Sequence, residues 1–485
     1  MKNYPKPRSF DANLIIIGAG SAGLVSAYIA AAVQAKVILI EKNKMGGDCL
    51  NTGCVPSKAL IRAAKYVYQI GQAKKYGMKN ASVEFEFPDV MARVHQVIKA
   101  IEPHDSVERY TNLGVEVIQG CATLTSPYSV EVNGKTLTAK SIIIAAGAEP
   151  FVLPIKGIES IAPLTSENLW DIKVLPKKLV VLGGGPIGCE LAQSFQRLGS
   201  EVTQVEMLPR LMIREDEEVS AFIQKQFETE GVDVLCDHKA VEFKNTSGRK
   251  SLLCEHQGEI TEHEFDEVLI AVGRAARLEG FGLKELEVPI SKRRSIEVNE
   301  FMQAGYPSLY ACGDIAGPYQ FTHTASHQAW YASVNALFGI FKKFKIDYRV
   351  IPWATFTDPE VARVGFNKQE ADEQGISYEV TRYPLDDLDR AIAEGEDQGY
   401  IEVLTRPGKD QILGVTIVGS QAGEMIAEFV FAMRHNLGMN KILSTIHIYP
   451  TRNEAVKFSA GNWKKNHTKA WQLNLLKRFH AWQRK

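Results

Sequence analysis

The sequence has few cysteines, almost no net charge and no apolar leader. Seven cysteines are spread thinly over 485 residues, which excludes the dense disulfide framework of a small secreted protein. A formal net charge of −1 gives no general attraction to nucleic acid or to an anionic membrane. Residues 1–13 are polar and lack the apolar segment of a secretory signal. We therefore expect a cytoplasmic, multi-domain enzyme that binds no nucleic acid and whose cysteines are mostly reduced.

Residues 14–34 carry no charge, which is typical of a membrane span. Glycines interrupt this stretch, however, and favour a buried strand, a turn and a helix. Gly18, Gly20 and Gly23 have the spacing of a dinucleotide-binding turn, and a second short strand ends at Glu41. In such a unit the glycines let the backbone approach a pyrophosphate, and the terminal acid holds a ribose hydroxyl.

The same pattern recurs after the strand at residues 179–182. Two dinucleotide sites on one chain favour an enzyme that moves electrons between a nicotinamide and a flavin. The acidic residue at the end of the second unit favours NADH, although Arg210 and Arg214 keep NADPH possible. The residues of this second unit are Gly183, Gly185, Gly188 and Glu206.

One close cysteine pair, Cys49 and Cys54, follows the first dinucleotide unit. A disulfide requires Cα atoms about 4.4–6.8 Å apart, and a regular helix would put these two residues on divergent faces. We therefore expect an irregular backbone at Gly53. Cys54 precedes a helical pattern, and a helix N-terminus stabilises a reactive thiolate. The pair is a candidate for catalysis, metal binding or redox sensing.

Together with residues 310–314 and 355–360, these motifs resemble the pyridine-nucleotide disulfide oxidoreductases of the glutathione reductase, dihydrolipoamide dehydrogenase and mercuric reductase type. The resemblance covers nearly the whole chain. It implies an α/β fold with two Rossmann-type dinucleotide-binding domains, for FAD and NAD(P), and an α+β C-terminal dimerisation domain. It also implies a homodimer with no resident metal.

The resemblance implies a role for each matching residue. Cys54 would face the flavin, and Cys49 would exchange electrons with a disulfide or soft-metal substrate. Lys58 and Glu190 would pair beside the flavin. The first glycine unit would bind FAD and the second NAD(P)H. Further FAD-site residues would be Gly147, Asp314, His323 and Ala325.

We predict five segments along the chain. The FAD domain occupies residues 1–150 and continues at 275–350, with the NAD(P) domain inserted at 151–274. A dimerisation domain follows at 351–462. Residues 463–485 form a basic tail that places Trp471, Leu475, Phe479 and Trp482 on one helical stripe. Such a helix either docks on the protein or lies on an anionic membrane surface.

The chain departs from its disulfide-reducing relatives in one segment. These relatives place a histidine five residues before a glutamate, as a general acid and base supplied by the partner subunit. Counting back five from Glu454 gives Tyr449, and the nearby histidine is His447. A phenol has a pKa of about 10, so it is a poor general base for thiols. The acceptor is thus left open between a mercuric-reductase-like and a dihydrolipoamide-dehydrogenase-like substrate. A non-catalytic flavoprotein sensor is the alternative.

Overall fold

The computed structural model of the chain describes residues 4–485. Within this range the chain forms two compact units. The first unit comprises residues 4–71, Ala81–Met207 and Gly231–Asp347, and the second comprises Gln72–Asn80, Leu208–Glu230 and Tyr348–Lys485. The five-segment division expected from the sequence stays a prediction.

The described chain contains strands β1 to β21. In the first unit they are β1 Ala12–Ile17, β2 Val37–Glu41, β3 Val115–Gln119, β4 Thr123–Ser126, β5 Ser129–Val132, β6 Lys135–Ile144, β7 Ala148–Pro150, β8 Lys178–Leu182, β9 Glu201–Val205, β10 Asp233–Leu235, β11 Lys239–Thr246, β12 Arg249–His256, β13 Glu259–Phe265, β14 Glu267–Ile270, β15 Arg274–Ala276 and β16 Leu309–Ala311. In the second unit they are β17 Pro352–Thr355, β18 Glu360–Gly365, β19 Glu379–Pro384, β20 Tyr400–Thr405 and β21 Ile412–Gly419.

Helices are interspersed with these strands in both units. They are α1 Ser21–Ala32, α2 Gly47–Asn51, α3 Cys54–Gly71, α4 Phe87–Ile101, α5 Val107–Asn112, α6 Pro186–Arg197, α7 Glu217–Thr229, α8 Thr322–Phe338, α9 Lys368–Glu373, α10 Asp389–Glu394, α11 Ala422–Arg434, α12 Met439–Leu443, α13 Glu454–Asn466 and α14 Ala470–Gln483. Short 3₁₀ helices lie at Ala73–Tyr76, Glu102–Asp105, Ile158–Ser160, Leu169–Asp171 and Leu385–Asp387.

A seven-stranded sheet organises the first part of the first unit. Its parallel strands run in the order β3, β2, β1, β6 and β16, while β5 and β4 continue from β6 in antiparallel pairing. Leu14 of β1 lies between Val37 and Ser141 on its two neighbours. Strands β1 and β2 are almost wholly buried, as expected for a parallel sheet covered on both faces. Helices α1 and α8 pack against each other.

A second parallel sheet, in the order β10, β9, β8 and β14, follows in the same unit. A three-stranded antiparallel sheet, β11 to β13, shares its core through Phe243, Leu252 and Phe265. These two parallel sheets, each with a glycine turn after a buried strand, confirm the predicted pair of Rossmann-type folds. The uncharged stretch at 14–34 forms β1, a turn and α1. No helix within residues 4–485 is long and apolar enough to cross a bilayer.

The second unit is built on a five-stranded antiparallel sheet, in the order β17, β18, β21, β20 and β19. Helices α11 and α13 pack against this sheet and bury Phe429 and Trp463 with Val403 and Ile417 of the strands. This arrangement confirms the predicted α+β C-terminal domain.

Candidate active site

The two cysteines lie at a break between helices. Helix α2 ends at Asn51, Thr52 has the non-helical angles φ −140° and ψ −2°, and α3 begins at Cys54. A Cβ atom at Gly53 would lie only 3.0 Å from the carbonyl oxygen of Asp48, so glycine permits this close return of the chain. The indole N–H of the buried Trp170 donates to the carbonyl of Thr52 at 2.9 Å. The irregular backbone expected between the cysteines is therefore present, and the hydrogen bond from Trp170 stabilises it.

The Cys54 thiol lies where two helices begin. Its Sγ is 3.5 Å from Oγ1 of Thr322, the first residue of α8, while Cys54 itself is the first residue of α3. A hydrogen bond from Cys49, aided by Thr322 and the charge of Lys58, lowers the pKa of Cys54 to about 6, although burial acts in the opposite direction. The same hydrogen bond and burial raise the pKa of Cys49. Helix dipoles also favour a thiolate here.

Lys58 and Glu190 form the ion pair that the sequence predicts. Lys58 follows Cys54 by one turn of α3, and α3 packs against α6, which carries Glu190. The lysine Nζ lies 2.8 Å from the glutamate carboxylate, which is almost fully buried. The pair therefore places a fixed positive charge beside the cysteines.

Arg274 connects the cysteine segment to Asp314. Its guanidinium donates to the Asp48 carboxylate, and its Nε lies 3.7 Å from the Asp314 carboxylate. Burial raises the pKa of Asp314 to about 6, although Arg274 acts in the opposite direction. Asp48 precedes Cys49 directly, so Arg274 links the predicted FAD-site aspartate to the redox-active segment.

The first glycine turn has the close packing that its spacing predicts. A Cβ atom at Gly23 would lie 1.8 Å from the carbonyl oxygen of Gly18, so only glycine lets α1 approach β1 this closely. Glu41 accepts hydrogen bonds from the backbone N–H groups of Ala19 at 2.6 Å and Asn43 at 2.7 Å. The carboxylate thus anchors the turn, and its remaining lone pairs are available to a ribose hydroxyl.

The second glycine turn repeats this arrangement. A Cβ atom at Gly188 would lie 2.1 Å from the carbonyl oxygen of Gly183, and Glu206 accepts a hydrogen bond from the N–H of Gly184 at 2.5 Å. In the second unit, the guanidinium of Arg210 donates to Glu215, Ser220 and Gln369. Arg210 is therefore engaged by its own unit.

The residues present at both turns fit dinucleotides. In the described chain, α1 and α6 begin after Gly20 and Gly185 and have no side-chain cap. The backbone N–H groups of their first turns, which Pro186 lacks, are therefore available to phosphate oxygens. A Cβ atom at Gly185 would meet no atom within 4 Å, and one at Gly20 would meet only Gly47, at 3.8 Å. Both turns therefore offer an open backbone surface at a helix N-terminus.

Three further predicted FAD-site residues lie in the same unit. His323 and Ala325 are in the first turn of α8, where the His323 ring stacks on Phe321 with centroids 5.3 Å apart. Ala325 is buried, and Gly147 has φ +70° with open space on its Cβ side. None of these contacts assigns a ligand, so their roles stay predictions.

The histidine and tyrosine of the second unit have different environments. The side chain of His447 is only 4% exposed, its Nε2 lies 3.0 Å from Glu428, and its Nδ1 contacts the carbonyl of Thr445 at 3.1 Å. Tyr449 is exposed and donates to Asp389 at 2.9 Å. That hydrogen bond raises the pKa of Tyr449.

Glu454 accepts a hydrogen bond from the backbone N–H of Thr451 at 3.2 Å. The bond links Glu454, the first residue of α13, to the turn that precedes this helix, and His447 pairs with a different carboxylate, that of Glu428.

Sequence reasoning missed several residues that define these environments. Thr322, Arg274 and Trp170 contact the cysteine segment from positions more than a hundred residues away. Glu428 and Asp389 likewise determine what His447 and Tyr449 can do. Only Thr322 carried a usable signal, because it directly precedes the predicted flavin-site stretch.

Two family models match the chain. Residues 12–329 match the pyridine nucleotide-disulphide oxidoreductase family. Residues 351–460 match the dimerisation domain of the same family. The chain thus carries the homodimerisation domain that the resemblance implied.

Curated relatives with two different activities resemble this chain. A dihydrolipoyl dehydrogenase from Thermus scotoductus is 37% identical over 457 residues, which cover 92% of this chain and 96% of the relative. A mercuric reductase from Lysinibacillus sphaericus is 32% identical over 462 residues, covering 95% of this chain and 84% of the relative. Both similarities extend over nearly all of this chain.

Solved structures have the same fold. The Cu(II) complex of the HOCl-induced flavoprotein disulfide reductase RclA from Escherichia coli superimposes with a TM-score of 0.82 at 25% identity, over 92% of this chain and 98% of that one. LpdA from Mycobacterium tuberculosis, at 24% identity and over 92% of this chain and 99% of that one, superimposes with a TM-score of 0.84. With its cysteine pair and two glycine turns, the chain therefore belongs to the pyridine nucleotide-disulphide oxidoreductase family, whose members are enzymes that use FAD and NAD(P)H.

Proposed function

We propose that this oxidoreductase passes electrons from NADH to a thiophilic metal ion, such as Hg(II) or Cu(II), that Cys49 and Cys54 bind. The observation that carries the proposal is Tyr449, which stands where disulfide-reducing relatives have a histidine. Its hydroxyl donates a hydrogen bond to the Asp389 carboxylate, and this bond raises the pKa of Tyr449. Tyr449 is therefore a poor proton donor or acceptor near neutral pH.

The proton balance separates the two classes of acceptor. Reducing a disulfide with NADH consumes one further proton from the medium, because two thiols form and the hydride supplies only one hydrogen nucleus. Reducing Hg(II) to Hg(0) with NADH forms no thiol on the substrate and releases one proton. A histidine that acts as a general acid and base is therefore needed to reduce a disulfide substrate, but it is dispensable for the reduction of a metal ion.

Bound FAD supplies the two-electron connection between the nicotinamide and the cysteine pair. The residues proposed to hold it are Gly18, Gly20, Gly23, Glu41 and Asp314, together with Gly147, His323 and Ala325. Gly183, Gly185, Gly188 and Glu206 are proposed to hold the nicotinamide dinucleotide.

The chain's own residues prepare the thiols. Thr322, Lys58 and the starts of α3 and α8 stabilise a thiolate at Cys54, and thiolates are the ligands that soft metal ions prefer. Cys49 supplies the second sulfur and is the thiol proposed to meet the substrate first.

We infer a preference for NADH over NADPH. The Glu206 carboxylate would repel a 2′-phosphate on the adenosine ribose. Arg210 is one of the two arginines that could bind such a phosphate. Its guanidinium instead donates hydrogen bonds to Glu215, Ser220 and Gln369. We also propose that the enzyme works in the cytoplasm, where reduced nicotinamide is available and thiols stay reduced.

Disulfide reduction is the second candidate. The curated dihydrolipoyl dehydrogenase shares 37% identity with this chain, and the His447–Glu428 pair, 3.0 Å apart, has the histidine–carboxylate chemistry of an acid-base dyad. Both ring nitrogens of His447 are engaged within its own unit, however. Disulfide reduction with His447 as the acid and base therefore requires the segment that carries His447 to rearrange. A non-catalytic sensor is disfavoured, because the Lys58–Glu190 pair and both turns are intact.

The test is NADH oxidation by the purified holoenzyme with Hg(II), Cu(II), lipoamide or glutathione disulfide as the acceptor. We expect turnover with a metal ion and at least about tenfold slower turnover with either disulfide. Tyr449→His should increase lipoamide reduction, whereas Tyr449→Phe should leave lipoamide reduction low. Faster turnover of lipoamide than of both metal ions by the wild type would reject the metal proposal in favour of disulfide reduction.

A further inference from the structure

Two exposed segments combine large apolar side chains with cations, and neither contributes to the electron-transfer site. One is the loop at residues 338–345, called here the basic loop, and the other is helix α14. We propose that both bind the surface of a membrane rich in anionic lipid, so that the enzyme associates peripherally with a bilayer. The basic loop belongs to the first unit and α14 to the second.

The basic loop presents two apolar side chains to solvent. Ile340 is 80% exposed and Phe341 is 86% exposed, in a turn that follows the end of α8. The side chain of Asn335, itself buried, donates to the carbonyls of Phe301 at 3.1 Å and Phe344 at 2.8 Å. It also accepts from the N–H of Phe344 at 2.7 Å. The turn is therefore held in place, and its apolar tip is a built feature of the fold.

Three lysines surround this apolar tip. The ammonium groups of Lys342 and Lys343 lie over the rings of Phe344 and Phe301, at 5.0 Å and 5.2 Å from the centroids. Lys345 pairs with Glu300 at 3.0 Å. An apolar tip with cations at its base matches a lipid interface, where acyl chains take the tip and anionic headgroups take the ammonium groups.

Helix α14 has the same combination on a larger scale. None of its residues is buried. Its six large apolar side chains, which lie on one wide face except for Leu473, are Trp471, Leu473, Leu475, Leu476, Phe479 and Trp482. Residues 463–485 contain seven lysines and arginines and no acidic residue. The helix that the sequence predicted is thus present, and within the described chain it is not docked.

The positive charge of α14 indicates which kind of partner binds its apolar face. Two copies of a helix with only positive charge repel each other, which disfavours a second copy of this chain. Trp471 and Trp482 lie on one stripe about three turns apart, and tryptophan favours the boundary between headgroups and acyl chains. Cations and tryptophans together match an anionic lipid surface better than an acidic protein, whose polar surface would leave the apolar stripe unfilled.

The experiment is co-sedimentation of the full-length holoenzyme with vesicles of phosphatidylcholine, alone or mixed with phosphatidylglycerol. We compare it with a chain that ends at His467, with the double variant Ile340→Ser/Phe341→Ser, and with Ile260→Ser. Ile260 is an exposed residue of β13 between Glu259 and Glu262, so its variant is a matched apolar control. Bound flavin and NADH-dependent reduction of an artificial acceptor report that each variant is folded.

We expect the enzyme to bind only the vesicles that contain phosphatidylglycerol, and to bind them more weakly at high salt. The truncated chain and the loop variant should each bind at least about tenfold more weakly, while Ile260→Ser should bind as the wild type does. Equal binding by the truncated chain, or equal binding to both vesicle types, would overturn the proposal for α14. Full binding by the loop variant would overturn it for the basic loop. Loss of the homodimer on truncation would show instead that a second copy covers α14.

Discussion

At the scale of single residues, the cysteine pair is controlled by neighbours that come from elsewhere in the chain. Cys54 receives a hydrogen bond from Cys49, contacts Thr322 and lies one turn before Lys58. Each of these groups favours the thiolate over the thiol. The reduced pair is thus prepared to hold one negative charge at neutral pH.

The reduced pair should react as a thiolate from mildly acidic pH upwards. The pKa of Cys54 is about 6, so its thiolate is present above that pH and is lost as the pH falls through it. In the NADH-reduced enzyme we expect the rate of iodoacetamide alkylation to be half-maximal near pH 6. The Cys54→Ser variant should lack this step, leaving Cys49, whose pKa is raised in the pair. A midpoint near the value of about 8.5 for free cysteine would contradict this assignment.

Lys58→Met should move this midpoint upwards. The charge of Lys58 lowers the pKa of Cys54, while that of Glu190 raises it, so removing the cation leaves the opposing charge. We expect an upward shift of roughly 0.5–1 pH unit, because the lysine is partly exposed and solvent screens its charge. Lys65→Met, on the same helix, is the control and should leave the midpoint in place. An unchanged midpoint in Lys58→Met would argue that hydrogen bonds alone hold the thiolate.

At the scale of elements, short connections bring the functional groups together. The break between α2 and α3 orients the cysteines, and the packing of α3 on α6 brings Lys58 to Glu190. Arg274, the first residue of β15, ties the start of α2 to Asp314 through its two aspartate contacts. The geometry of the cysteine segment therefore depends on a strand of the same unit that is distant in sequence.

Arg274→Ala should loosen both the cysteine segment and the bound FAD. Without the guanidinium, Asp48 and Asp314 lose their shared cation, and the repulsion between them raises the pKa of Asp314 further. We expect the free energy of unfolding of the holoenzyme to fall by about 1–3 kcal/mol. Urea titration followed by released-flavin fluorescence measures this loss. Arg274→Lys should recover part of it, and equal stability of all three proteins would show that the bridge contributes nothing.

At the scale of the whole molecule, the dimerisation domain exposes an apolar surface that the isolated chain leaves uncovered. Ile446 and Ile448 flank the buried His447 and are 94% and 78% exposed. Exposed apolar clusters of this kind in a dimerisation domain are expected to be buried between subunits. The segment that carries Tyr449 is therefore expected to be ordered at the homodimer interface.

The double variant Ile446→Glu/Ile448→Glu should dissociate the homodimer. Burying two carboxylates in an apolar interface costs several kcal/mol unless each finds a cation, so sedimentation velocity should detect monomers. Flavin reduction by NADH should persist within each subunit, because the residues proposed to hold both dinucleotides belong to one chain. Val174→Glu, at a site that is also 78% exposed, is the control. A variant that remains dimeric would place the interface elsewhere on the domain.

Local sequence patterns were sufficient for much of this protein. Each glycine turn, its flanking strands and the closing acid lie within about 30 residues of one another, and their backbone demands are local. The same holds for the cysteine pair, the helix that begins at Cys54 and the amphipathic stripe of α14. Both Rossmann-type folds and the redox function could therefore be predicted from the sequence.

The chemical environment of these residues was decided by tertiary structure alone. Thr322 reaches Cys54 across 268 positions, and Arg274 reaches Asp48 across 226. Local periodicity carries no information about such pairs, because they depend on how whole elements pack. For the same reason the sequence showed that Tyr449 replaces a histidine, whereas only the fold showed that Asp389 holds its hydroxyl and that Glu428 engages His447.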